Sequence, residues 1–264
     1  MSILKEFDIS GKNIIVTGAS RGIGKGITRV LADAGANVLC TALTDVHLNK
    51  LVKEISLKGL NIEGLVADNT TILGWDKTIN FALEQWGSID VLINNLGDAI
   101  SKPIATLNEN SGEPAMSDDE WHDVLDINLT HAFMGCRSIG PHFLERRIGK
   151  VINISGTAAR QGVAQLAAYS AAKAGLVRFT QSLALEWAPY NILVNSIAPG
   201  PFPDIDLEDE KFLDERINWA KSNVPLRRFG DLKEVGYLAV YLISDASNYM
   251  TGQTIYLDGG LTYA

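Results

Sequence analysis

The 264-residue chain is short of cysteine, with only Cys40 and Cys136. Two lone cysteines, and no long apolar leader in "MSILKEFDIS", exclude a disulfide framework and point to a reducing, cytoplasmic setting. Positive charge is also in deficit: 23 Lys and Arg face 31 Asp and Glu, for a net charge of −8, so nucleic acid is not an expected partner. Long hydrophobic runs are missing. The longest, such as "NIIVT" and "VLIN", are strand-sized, which excludes a membrane-spanning helix. The four histidines, His47, His122, His131 and His142, show no ligand spacing, so no metal is expected and each reads as a satisfied or exposed side chain. The acids of "SDDE" (117–120) read as a helix start, with Ser117 and Glu120 spaced as a capping box.

What is present is an alternation. Strand-like runs at 13–17, 37–41, 62–67, 89–94, 150–155, 192–197 and 253–257 are separated by amphipathic stretches near 23–34, 46–58, 71–86, 118–146, 165–188 and 231–243. Strands alternating with helices of this length predict right-handed βαβ units and a parallel sheet covered on both faces. The strands are near-continuously apolar, as two covered faces require. No linker or repeat interrupts the pattern, so residues 1–264 read as one α/β domain. Two segments break the rhythm, 98–117 and 201–224, and both follow a strand. Ligands of open parallel sheets bind at the carboxyl ends of strands, so these segments are expected to be a substrate-side loop and a lid; a surface insertion is the alternative for 98–117.

"TGASRGIG" (17–24) follows the first strand and opens the first helix. Its glycines allow a tight turn and close approach to a diphosphate, which then faces the helix N-terminus. Gly18, Ser20, Arg21, Gly22, Ile23 and Gly24 are therefore candidate cofactor-binding residues.

The spacing Gly-x-x-x-Gly-x-Gly, with "NNLG" (94–97), "YSAAK" (169–173), "PG" (199–200) and "TGQTIYLDGG" (251–260), resembles the short-chain dehydrogenase/reductase family over essentially the whole chain. The resemblance implies a Rossmann-type, doubly wound parallel sheet of seven strands, a nicotinamide cofactor and a homotetramer or homodimer. It suggests a 3-oxoacyl-carrier-protein reductase-like enzyme, or a small polyol or ketone dehydrogenase, acting on a small-molecule carbonyl or alcohol. Overall acidity speaks against an acidic carrier protein. By the same resemblance, Asp68 and Asn69 meet the adenine, Asn94 and Gly97 pack beside the adenosine ribose, and Pro199 and Gly200 belong to the cofactor site. An acid at the end of the second strand would bind the ribose hydroxyls of NAD and repel a 2′-phosphate. Here "CTALT" (40–44) has none, Asp45 comes too late, and Arg21 can fork onto a phosphate, so NADP is favoured over NAD.

Hydride transfer is the cofactor's chemistry, and the protein must supply a proton. Tyr169 is the candidate acid/base. Lys173, one turn on, shares its helix face and can favour phenolate by its charge. The resemblance also gives Lys173 the nicotinamide ribose, Asn128 a water in a proton relay, and a serine the substrate carbonyl. Ser155 is the candidate for that serine, but the family spacing lands on Gly156. Neighbours on a strand face opposite ways, so either the strand end bulges and swings Ser155 in, or the hydroxyl is missing and Thr157 serves from the loop. A further departure puts Asp204 where the family often has threonine, four residues past Gly200. The competing reading is a non-catalytic nucleotide-binding regulator or scaffold on a reductase fold.

Overall fold

The computed structural model describes residues 4–107, 114–207 and 210–263. Seven strands form a wholly parallel sheet in the order β3-β2-β1-β4-β5-β6-β7: β1 Asn13–Val16, β2 Asn37–Ala42, β3 Ile62–Val66, β4 Val91–Asn94, β5 Gly149–Ile154, β6 Ile192–Pro199 and β7 Thr254–Leu257. Each predicted strand forms, within two residues at either end. Strand order runs outward in both directions from the β1–β4 pair, where Val16 lies opposite Ile93. That reversal leaves a crevice at the carboxyl ends of these strands.

Helices cover both faces. On one side α1 (Gly22–Asp33), α2 (Asp45–Ser56) and α8 (Leu232–Ile243) pack on Ile14, Val16, Val38, Ile93 and Ile152. On the other, α3 (Ile72–Trp86), α5 (His131–Arg146) and α6 (Ala167–Trp187) bring Trp75, Phe143 and Trp187 onto Ile15, Leu39, Leu92 and Val151. Ile14, Ile15 and Val16 thus alternate between two cores, which is why the strand reads as an unbroken apolar run.

Helix starts follow local chemistry. The α4 helix (Asp118–Leu125) opens on the Ser117–Glu120 capping box, as its spacing predicts. Asp45 stands in the first turn of α2, where the dipole favours it. The predicted long helix 118–146 is broken: between α4 and α5, residues Asp126–Thr130 form a π-helical turn. The α7 helix (Glu210–Asn223) lies within the predicted lid, after β6. Parts of both predicted substrate-side segments fall outside the described residues. Among the described residues no helix is long and apolar enough to cross a membrane.

Candidate active site

At the carboxyl ends of the central strands lies a cavity of about 900 Å³. The glycine-rich loop lines one part of it with Gly18, Ser20, Arg21, Gly22, Ile23 and Gly24; Gly97, Ser155, Tyr169 and Lys173 line another. Residues far apart in sequence, from Gly18 to Lys173 and Phe202, are therefore brought to one space by the βαβ crossovers. Gly24 is sterically required, whereas a β-carbon on Gly22 would meet nothing and glycine is favoured there by its positive φ of 56°. A β-carbon on Gly24 would stand 2.6 Å from the Gly18 carbonyl and 2.4 Å from Asn95 Nδ2. Asn95, absent from the sequence reading, clamps this loop: its Nδ2 donates to the carbonyls of Thr17 and Gly18 at 2.9 and 3.0 Å. Its signal in the sequence is its place beside Asn94 in "NNLG".

Asn94 is not in the cavity. It is fully buried and donates to Asn153 Oδ1 at 2.8 Å, while Asn153 donates to Thr180 Oγ1, so it braces β4 against β5 and α6. Asn69 is likewise buried, accepting from Thr41 Oγ1 at 2.6 Å and donating to Thr78 Oγ1. Asp68 caps the turn before α3 through Thr70. Pro199 and Gly200 close the β6–β7 ladder, the Gly200 N–H meeting the Leu257 carbonyl. These five residues thus stand outside the cavity lining. Leu43, Thr44 and His47, at the end of β2 and the start of α2, do line it, with no acid among them.

Lys173 is buried and its Nζ donates to the Ile154 carbonyl at 3.0 Å. It stands 5.5 Å from the Tyr169 ring centroid. Burial drives the lysine down to about 7. Burial, with the Asp98 charge adding to it, pushes the Tyr169 phenol up. The expected lowering of Tyr169 by Lys173 is not seen, and desolvation is the leading influence on both groups.

Asn128 sits in the π turn, fully buried, its Nδ2 donating to the Asp98 and Val124 carbonyls at 2.6 and 2.8 Å. Such turns are frequent at functional sites. Its Oδ1 has no protein partner. A β-carbon on Gly97 would lie 2.8 Å from that oxygen and 2.9 Å from Lys173 Nζ, so only glycine lets both polar atoms face this space.

Ser155 lines the cavity with Tyr169, but its hydroxyl is held within the sheet. Its N–H continues the ladder to the Ile197 carbonyl at 2.8 Å, so the strand end does not bulge. Its hydroxyl is paired with Ser196 Oγ at 2.8 Å and lies 3.2 Å from the Ile197 carbonyl. Gly156 is the residue turned toward the phenol, with an absent β-carbon 3.4 Å from Tyr169 Oη. Regular alternation along β5 thus places the hydroxyl on the wrong side. Thr157 begins a short 3-10 turn and is not in the cavity lining.

Asp204 reaches the glycine loop rather than solvent. Its Oδ2 accepts from the Gly22 N–H at 2.7 Å and its Oδ1 pairs with Lys25 Nζ at 2.5 Å. Asp206 adds a second contact to Lys25 at 3.1 Å, and that ammonium holds the Asp206 carboxyl below its usual range. His131, expected to be satisfied, is fully buried and neither ring nitrogen makes a well-formed hydrogen bond. Burial drives it down to about 3, the Lys173 charge acts the same way, and the Ile127 carbonyl only partly opposes them.

Comparison with known proteins agrees with this architecture. The sequence profile of the family described as enoyl-(acyl carrier protein) reductase matches residues 18–262. The chain is 35% identical over 258 residues to the 3-oxoacyl-[acyl-carrier-protein] reductase FabG of Chlamydia pneumoniae, covering 98% of this chain and all of that protein. Among solved structures, an actinorhodin polyketide ketoreductase variant with NADPH superimposes with a TM-score of 0.86 at 30% identity, over 96% of this chain and 98% of that one. A gluconate 5-dehydrogenase from Burkholderia cenocepacia, in complex with NADP and tartrate, gives 0.86 at 28% identity, over 98% of each chain.

Proposed function

The chain belongs to the short-chain dehydrogenase/reductase family and is an NAD(P)-dependent oxidoreductase, and from that premise we propose that it uses NADP to interconvert a carbonyl and a secondary alcohol, with Tyr169 as acid/base. The observation that carries the reading is the shared cavity: a glycine-rich helix start at one part and the Tyr169–Lys173 pair at another.

The residues fit a dinucleotide. The α1 N-terminus offers N–H groups to a diphosphate. At the adenosine end the lining is Arg21, Leu43, Thr44 and His47, cationic or neutral, which suits a 2′-phosphate better than free ribose hydroxyls. NADPH and NADP in two of the structural relatives support the same choice. When bound, the cofactor supplies or accepts the hydride. Tyr169 gives its phenolic proton to the carbonyl oxygen in reduction and takes it back in oxidation. Lys173, fixed by Ile154, would hold the nicotinamide ribose and, in its protonated form, place positive charge behind the phenol. Asn128 Oδ1 and Lys173 Nζ, facing one space over Gly97, form a path by which a water resupplies the proton. Gly156 leaves the substrate oxygen without the serine donor, so the phenol carries the electrostatic stabilisation with less help.

The substrate is a small-molecule carbonyl or alcohol, the setting cytoplasmic, and the assembly a homotetramer or homodimer, in keeping with the family resemblance and with relatives that act on carrier-protein-linked, polyketide and sugar-acid substrates. The test is NADPH oxidation against a panel of 3-oxoacyl thioesters, ketones and keto-sugars. Wild type consumes NADPH with at least one class, and Tyr169→Phe abolishes turnover while NADPH still binds. Equal inertness of the two proteins with intact NADPH binding would show a non-catalytic nucleotide-binding protein instead.

A further inference from the structure

We propose that Asp204 is an internal anion that competes with the dinucleotide's diphosphate for the N-terminus of α1, and so sets the affinity for the cofactor. The inference rests on the oxidoreductase reading above.

Lys25 is the starting point. It lies in the first turn of α1, where unpaired N–H groups and the helix dipole already concentrate positive charge. A cation there adds to the field instead of balancing it, and α1 has no acid in its first turn. Nor is Lys25 free in solvent: its side chain is only 9% exposed. A buried ammonium beside a helix N-terminus requires an anion. In this structure the anion comes from 179 residues away in sequence, as the Asp204 carboxylate, itself 10% exposed. One carboxylate oxygen takes the Gly22 N–H and the other takes Lys25. Asp206, 67% exposed, adds a weaker contact to the same ammonium.

The location makes this a matter of cofactor binding. Gly22 lines the large cavity together with Gly18, Ile23 and Gly24, and Phe202, two residues before Asp204, lines it too. The carboxylate therefore occupies hydrogen-bonding capacity in the loop that must receive a diphosphate. Two anions at one helix end repel at short range. Binding is then an exchange of anions, in which the incoming phosphate charge displaces Asp204 from Gly22 and takes over the field of Lys25. Pro201 and Pro203 restrict the backbone between Gly200 and Asp204, which keeps the carboxylate close and its effective concentration high. A threonine at this position, as the family often has, would carry no competing charge.

The test is a fluorescence titration of wild type, Asp204→Asn and Asp204→Thr with NADPH, beside thermal unfolding of each unliganded protein. Both substitutions remove the competing charge and leave Lys25 and the Gly22 N–H to the phosphate. Both variants are expected to bind NADPH at least about tenfold more tightly at low salt, with the gain shrinking as salt rises. Without NADPH both are expected to melt below wild type, because Lys25 has lost its partner, and saturating NADPH raises their melting temperature more than it raises that of wild type. Unchanged or weaker NADPH binding in both folded variants overturns the inference and leaves the oxidoreductase reading standing. Absence of NADPH and NADH binding in wild type and variants alike overturns that reading and this inference with it.

Discussion

The β-carbon that Gly156 lacks would stand 3.4 Å from the hydroxyl of Tyr169. That distance is ordinary van der Waals contact, and the backbone of Gly156 is extended, so a β-carbon is accepted there without strain. Gly156→Ser is therefore expected to place a hydroxyl beside the phenol and to raise kcat several-fold, with KM for NADPH unchanged. Ser155→Ala removes the hydroxyl's contacts to Ser196 and the Ile197 carbonyl; it is expected to cost about 1 kcal/mol of stability and to leave kcat within about threefold of wild type. Steady-state kinetics and denaturant unfolding read both. A collapse of activity in Ser155→Ala comparable to that in Tyr169→Phe would show that the Ser155 hydroxyl does reach the substrate.

Cofactor choice hinges on the end of β2. Leu43 is exposed and lines the cavity where an acid would meet the adenosine ribose. Leu43→Asp is expected to weaken NADPH binding at least tenfold by repelling the 2′-phosphate, while NADH binding holds or improves. Parallel titrations with the two dinucleotides measure the switch, and equal loss for both would place the 2′-phosphate elsewhere.

The Tyr169 phenol is pushed up by burial and by Asp98. A donor must be protonated to reduce a carbonyl, so the Tyr169 limb of kcat/KM for reduction is expected to fall only as pH rises past the ordinary tyrosine range, while any change near neutral pH belongs to Lys173, at about 7. Oxidation needs the phenolate and should rise with pH over the same range. Asp98→Asn removes a charge that opposes phenolate, so both limbs should move to lower pH, by less than about one unit. A shift to higher pH would contradict the assignment.

His131 makes folding acid-sensitive. Its folded pKa is about 3 against an ordinary value of 6.5. Between these values the unfolded chain takes up a proton that the native state refuses. Stability is thus whole above pH 6.5 and is lost as pH falls from there toward 3, at up to about 1.4 kcal/mol per unit. His142, lowered mainly by its partial burial, adds in the same direction. Urea unfolding at pH 7 and pH 5 should show a stability loss about 2 kcal/mol smaller in His131→Leu than in wild type. An equal loss in both proteins would mean that His131 is charged in the fold.

How much of this was legible beforehand depended on the range of the interaction. The seven strands, the glycine-rich helix start and the Tyr169–Lys173 pair follow from local pattern: apolar runs covered on both faces, a turn that only small residues permit, and two side chains one helical turn apart. The sequence by itself determined those elements, because periodicity and short spacing carry over directly into backbone geometry. Which way a side chain faces at a strand end is not local in this sense. Ser155 and Gly156 could be told apart only once the ladder to Ile197 was seen to continue without a bulge. Asn94 and Asn69 read as cofactor contacts, yet the packed strands and helices turned them inward as braces whose partners come from other elements. Asp204 read only as a departure from the family's threonine. It found the Gly22 N–H, 182 positions away, because the chain after β6 crosses the end of α1. Only the tertiary structure decided these, since each depends on which distant groups are left needing a hydrogen bond or a counter-charge once the sheet is assembled.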